Sequence, residues 1–417
     1  MIFKKKHIST ESNSLSALTW KRFKRNKLAM FGLGIIIFCA LISILGYVIT
    51  PDETPYANDQ KPELHILHPG FQVKMLLVKR NEKPVPVSFF EKMLFGEKSS
   101  FTSYSSFAYH FKSDSIYVEE FTGNSPNKGE MLRFNIAQVV YAIEPGTKIT
   151  YDTIKKECQF YLFNQNRLSH ESLGDLRSKI SANHLVNKTF VLGTDLLGRD
   201  LLSRLMIGTR ISLTVGLISV IISIFIGILL GSLAGYFRGL VDDLIMWLIN
   251  VVWSIPTLLL VIAITLVLGK GVTQVFIAVG LTMWVEVARI VRGQVMSIRE
   301  KEFVEAGRAL GYQNSRIIFR HILPNVLGPV VVIAAGNFAS AILMEAGLSF
   351  LGLGAQPPIP SWGEMTNAHH GYILMDKAYL AFIPGMAIML LVLAFMLVGN
   401  GLRDAMDTRA IDDKPLV

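Results

Sequence analysis

ISLTVGLISVIISIFIGILLGSLAGYF, residues 211–237, runs for 27 residues without an Asp, Glu, Lys or Arg. About 20 apolar helical residues cross the hydrocarbon core of a bilayer, so this stretch already argues for a membrane protein. Four further runs obey the same rule: 28–50, 244–269, 322–344 and 378–402, with 23, 26, 23 and 25 residues. A shorter run, 271–285, has 15. It continues through Glu286 and Arg289 to about residue 290, which places its end at the membrane interface. The expectation is an all-α transmembrane core of six spans. A soluble core of buried helices does not account for five runs of this length.

Composition agrees. Of 417 residues, 51% are hydrophobic and 18% charged, where soluble domains carry about 25% charge. Two cysteines, Cys39 and Cys158, cannot form a disulfide framework. They read as a packing residue in the first span and a buried, reduced thiol. The first run follows a basic lead of 27 residues and precedes YVITPDETP rather than a small-residue cleavage site. It therefore reads as an uncleaved anchor.

Lys and Arg concentrate in cytoplasmic loops. The 1–27 tail holds 8, the loop at Arg238 holds 1, the loop 286–325 holds 7 and the 403–417 tail holds 3. The short loops on the other side hold only Lys270 and Lys377. Both tails are thus expected in the cytoplasm. The net charge of +9 is mainly a topology signal and not a nucleic-acid surface. Residues 51–190 then form an extracytoplasmic insert with balanced charge, 17 Lys/Arg against 16 Asp/Glu. Period-two patterns at 71–78 and 133–141, with turn signals at Asn124-Ser-Pro and Glu144-Pro-Gly, suggest a β-rich or α+β domain.

The loop 286–325 carries the mechanism. It contains SIREKEFVEAGRALGYQNSRIIFRHILPN, residues 297–325. Good helix formers at 297–310, acids early and Arg308 late predict an amphipathic helix. Gly311 is placed to end it, Ser315 to cap the next helix, and Pro324 to open the fifth span. Such a helix can dock in a partner's groove.

Glu305-Ala-Gly, Gly311 and His321-Ile-Leu-Pro reproduce, at each step, the spacing of the EAA loop that this segment resembles in ABC importer permeases. Gly307 replaces the second alanine and His321 the isoleucine, and the His-Ile-Leu-Pro form resembles the peptide and nickel branch. LGTDLLGRDLLSRLMIGTRISLTVG (192–216) and EAGLSFLGLGAQPPIPSWGEM (345–365) resemble the C-type permeases of dipeptide and oligopeptide importers. The resemblance covers about 18–50 and 191–402, with most of 51–190 as an insertion. It implies a six-helix type I ABC importer permease that is not an enzyme and holds no cofactor. A second homologous permease in a heterodimer, two cytoplasmic subunits that bind ATP and magnesium, and an external solute-binding protein would complete the importer. It assigns ATPase coupling to Phe303, Glu305, Ala306, Gly307, Leu310, Gly311, Tyr312, Leu323 and Pro324. Cargo would be di- or oligopeptides, with nickel or another small solute as the alternative.

Other signals have plainer readings. Gly193-Thr-Asp-Leu-Leu-Gly-Arg-Asp has P-loop glycine spacing, but Asp195 and Asp200 would repel phosphate. It reads as a turn and interfacial helix, with Arg204 and Arg210 near headgroups or loops. His369 and His370 lack a third ligand and read as exposed loop residues. Gly216, Ser219, Ser223, Gly227, Gly231 and Gly235 mark a close helix contact. Glu345, at the outer end of the fifth span, is a candidate for the translocation path or its gate. A stand-alone secondary transporter would place ionisable residues in its spans, and the five long runs contain none of Asp, Glu, Lys or Arg. A membrane-anchored sensor leaves the EAA spacing unexplained.

Overall fold

The computed structural model describes residues 15–83, 86–123, 126–152, 156–165 and 167–406. Parts of both expected tails, and the expected turn at Asn124-Ser, lie outside the described residues. Helix α1 (Leu15–Phe23) leads into α2 (Lys27–Ile49), which Asn26 caps by accepting from the Ala29 N–H at 3.1 Å. Gly32 of α2 lies so close to a neighbouring backbone that a Cβ would sit 2.7 Å from the Ala394 carbonyl oxygen.

The insert begins with β1 (Phe71–Lys79), the short helix α3 (Phe89–Phe95), β2 (Phe101–Lys112), β3 (Ser115–Glu120) and β4 (Met131–Asn135). Then come α4 (Ile136–Val140), β5 (Thr150–Asp152), β6 (Glu157–Tyr161), β7 (Leu168–Ser172), α5 (Leu173–Lys179) and β8 (Leu185–Phe190). One antiparallel sheet has the order β4-β3-β2-β1-β8 and the second β5-β6-β7. The strand expected over 133–141 stops at Asn135. There the Asn135 carboxamide accepts from the Ala137 N–H at 3.0 Å and starts α4 instead. A local side-chain cap thus overrides the alternation.

Leu76, Ile116, Ile136, Phe160, Leu176 and Ile180 form the insert's core around Cys158. Burial pushes the Cys158 thiol up to about 11. N-ethylmaleimide at pH 7.5 should therefore modify Cys158 only after denaturation, as read by mass spectrometry of its peptide. Modification at the rate of a free thiol in the folded protein would contradict this packing.

The remaining chain is helical: α6 (Leu201–Phe237), α7 (Gly239–Trp253), α8 (Thr257–Leu268), α9 (Val272–Arg299), α10 (Glu302–Ala309), α11 (Asn314–Arg316), α12 (Leu323–Phe350), α13 (Trp362–His369) and α14 (Tyr379–Met406). Among the described residues five helices are long and apolar enough to cross a membrane, those of α2, α6, α9, α11–α12 and α14. Residues 244–269 do not form one straight span. The chain bends by 90° between α7 and α8, because Pro256 can neither donate to the helix ladder nor leave its predecessor helical. α9 also passes through Glu286 and Arg289 to Arg299. The reason is that its cations find partners inside the protein: Arg289 lies over the Trp253 ring at 3.6 Å, and Arg292 donates to both Asp242 oxygens at 2.5 and 2.6 Å.

The small-residue stripe of α6 does what its spacing predicts. A Cβ on Gly227, Gly231 or Gly235 would fall 2.5–2.7 Å from Val287, the Ala288 oxygen or the Arg292 oxygen of α9. Gly216 meets Phe338 of α12 in the same way.

Candidate functional site

α10 is a short helix clamped at both ends. α9 ends at Arg299, so the expected helix over 297–310 is split, and its second part begins only at Glu302. At the other end the Gly311 N–H donates to the Arg308 oxygen at 2.9 Å, and the Tyr312 N–H to the Gly307 oxygen at 3.0 Å. This is a Schellman closure, and it requires the left-handed φ of +74° that Gly311 supplies. Ser315 is not the next cap: it lies inside α11, whose preceding residue is Gln313.

One face of α10 belongs to the subunit's own core. Val304, 1% exposed, joins Tyr236, Val291, Val295, Ile317, Ile318 and Ile322. Gly307 is buried too, and a methyl there would come within 3.4 Å of the Tyr312 ring. Tyr312 turns inward, stacked on His321 at 5.8 Å with the Arg316 guanidinium 4.1 Å from its ring. Arg299 and Arg308 lie over Tyr236, whose hydroxyl donates to Asn314 at 2.7 Å. Arg238 pairs with Glu300 at 2.7 Å. The other face is open. Phe303 (47% exposed), Glu305, Ala306 and Leu310 (70%) point away from the protein. Of the residues expected at a docking surface, these four share it, whereas Gly307 and Tyr312 support it from behind. Leu323 packs against the same core, and Pro324, in the first turn of α12, is exposed.

A cavity of 1080 Å³ starts at this end of the helices. Arg22, Asn325 and Arg403 line it near the α10 end, and Glu286, Asn337 and Ser340 line it farther along the helices. Glu345 is not part of it. Glu345 is buried in α12, accepts from the Ser349 hydroxyl at 2.7 Å, and Ser349 in turn accepts from the Ala355 N–H at 3.2 Å. Its position ties the loop after α12 to the helix.

The segment 193–204 holds the largest surprise. Arg204 is not at a headgroup but 1% exposed. Its guanidinium lies 3.5 Å from Asp195 and 3.2 Å from Glu364, while Arg199 reaches Asp195 at 2.7 Å. Asp195 also accepts from the Leu197 and Arg199 N–H groups, each at 2.9 Å. Burial raises the Glu364 carboxyl above the usual carboxylate range, against the pull of Arg204. Arg210 is half-buried: it donates to the Ser43 and Met93 oxygens at 2.8 and 2.9 Å and holds α3 against α2. His369 is buried, with Nδ1 2.6 Å from the Met365 oxygen, while His370 is exposed. No group of three metal-ligating side chains occurs among the described residues.

Comparison with known proteins adds the following. The family "Binding-protein-dependent transport system inner membrane component" matches residues 227–412, and "N-terminal TM domain of oligopeptide transport permease C" matches 14–69. Residues 70–226 fall outside both. The glutathione transport system permease protein GsiD of Pectobacterium atrosepticum is 43% identical over 218 residues, 52% of this chain and 72% of that protein. The dipeptide transport system permease protein DppC of Alkalihalophilus pseudofirmus is 43% identical over 217 residues, 52% and 71%. An inward-facing form of the MetNI methionine ABC transporter aligns with 49% of this chain and 96% of its own at TM-score 0.40 and 20% identity.

Proposed function

Because the chain belongs to the binding-protein-dependent ABC importer permeases of the dipeptide/oligopeptide C type, we propose that it forms half of a peptide translocation path and couples it to a cytoplasmic ATPase through α10. It is a multi-pass inner-membrane transport subunit, and hydrolysis is the work of its partners. The exposed face of α10 carries this reading: Phe303, Ala306 and Leu310 offer an apolar ridge, Glu305 a charge, and the core behind them makes the helix a rigid lever. A rigid-body switch of this kind needs no covalent chemistry. The bent pair α7–α8 serves as the third of six spans. The charge asymmetry supports an orientation with both tails and α10 in the cytoplasm and the β-sheet insert outside. A second, homologous permease completes the path, two ATP- and magnesium-binding subunits dock on the pair, and a solute-binding protein delivers cargo.

Cargo of two or three residues fits best, since the relatives at 43% identity are named for glutathione and dipeptide transport. Co-expression with the partner permease, ATPases and binding protein should yield proteoliposomes that take up labelled dipeptide only with ATP. Uptake of Ni²⁺ that dipeptide does not compete would transfer the reading to a metal importer. Absence of an ATPase from the purified complex would end it.

A further inference from the structure

We infer that Glu286 is the cargo-selecting acid of the translocation path, and that it accepts the side-chain ammonium group of a passing lysine-containing peptide. The inference rests on the peptide-importer reading and goes beyond it to a residue and a chemistry.

Glu286 is the fifteenth residue of the 28-residue helix α9. That helix is about 42 Å long at about 1.5 Å per residue, and an apolar core is about 30 Å thick. However the helix is shifted within that core, its midpoint stays inside. The Glu286 side chain is nevertheless exposed. A carboxylate facing lipid is costly, and such groups face a partner or a water-filled path. The nearby cations of its own helix are already engaged, Arg289 with Trp253 and Arg292 with Asp242. Among the described residues no cation pairs with Glu286.

The space in front of it is built to hold a polar group. Glu286 lines the 1080 Å³ cavity together with Asn337 and Ser340 of α12. Asn337 is 2% exposed, and its Nδ2 has no hydrogen-bond partner among the described residues. Gly336 adds open room, with no atom within 4 Å of where a Cβ would be. Along α12 the distance from Asn325 to Ser340 is about 22 Å, so the acid lies well along the cavity from its α10 end. Around it the wall is apolar: Ile290, Pro329, Val332, Ile333 and Met396. A carboxylate, a free carboxamide and a hydroxyl in an otherwise apolar passage suit an ammonium beside a peptide bond. A resident divalent ion would need further ligands, and no group of three is present among the described residues.

The test uses the complete importer in proteoliposomes with labelled Ala-Lys-Ala, Ala-Ala-Ala and Ala-Glu-Ala. In Glu286→Gln the ratio of Ala-Lys-Ala to Ala-Glu-Ala uptake should fall about tenfold, the scale of one charge-assisted hydrogen bond. Glu286→Asp should recover most of that ratio. An unchanged ratio with normal Ala-Ala-Ala uptake overturns the inference and leaves the peptide reading intact. Loss of the partner permease on purification of Glu286→Gln, restored by Asp, also overturns it, because the acid would then be an interface ion. If the wild-type importer moves neither these tripeptides nor the dipeptides Ala-Lys and Ala-Glu, the peptide reading itself falls and takes this inference with it.

Discussion

Replacing Arg204 by methionine is expected to destabilise the folded subunit by about 3–5 kcal/mol, the cost of breaking a buried ion pair from one side. Asp195 would retain Arg199 at 2.7 Å, but Glu364 would lose the cation that lies 3.2 Å away. The stranded carboxylate, rather than the lost attraction, dominates the penalty. The double variant Arg204→Met/Glu364→Gln should therefore regain more than half of the loss, and thermal unfolding of the purified complex reads both. A single variant as stable as wild type, or a double variant no better than the single, would show that the pair does not work this way. The effect matters for function because the network joins the start of α6 to α13 and, through Arg199 and Asn58 at 3.0 Å, to the segment after α2. The contacts tie these segments together into one packed unit.

The combined change Phe303→Ala/Leu310→Ala should abolish ATP-driven uptake, at least 30-fold, without loss of folded subunit. Phe303 is 47% and Leu310 70% exposed, so their removal should cost folding no more than about 1 kcal/mol. At a docking surface, two central apolar anchors are each worth about 2 kcal/mol or more. Normal membrane levels with weakened ATPase retention on purification are the expected result. The contrasting variant is Val304→Asp, which places a charge in the subunit's own core and should lower folded yield instead. Uptake unchanged in the double variant would remove α10 from the coupling role.

How much of this was legible in the sequence differs from element to element, and the reasons are physical. Uncharged runs located α2, α6, α12 and α14 because apolar length decides there, and the helices continue even through Pro329 and Pro384. The bend in 244–269 was signalled by Ser-Ile-Pro at 254–256, yet hydropathy counts apolar length and is blind to a missing N–H. The α10 turn was readable down to Gly311, since a left-handed closure favours one residue type. Which α10 residues face outward was not. Val304 and Gly307 turn inward because Tyr236 and Ile317, distant in sequence, meet them there. Arg204 was expected near headgroups or loops because a charge close to an apolar run normally marks the membrane boundary, and only its distant partner Glu364, together with Asp195, reveals that it is buried.

The pairing of β1 with β8 has a wider meaning. Phe71 lies opposite Phe190, so the insert leaves and rejoins the helical body at neighbouring points, about 5 Å apart as antiparallel partners are. Thr194 accepts from the Leu67 N–H at 2.8 Å, and the Lys61 N–H donates to the Leu197 oxygen at 2.9 Å, just on the body side of that seam. The domain is thus a cassette joined to the body at this seam and braced a second time where α3 lies against α2. Its natural excision boundary is 71–190, since a cut made inside this seam, at 61, would tear out those body-side contacts as well. Lineages could gain, trade or discard such a cassette by recombination while the transport machinery beneath keeps its own registration.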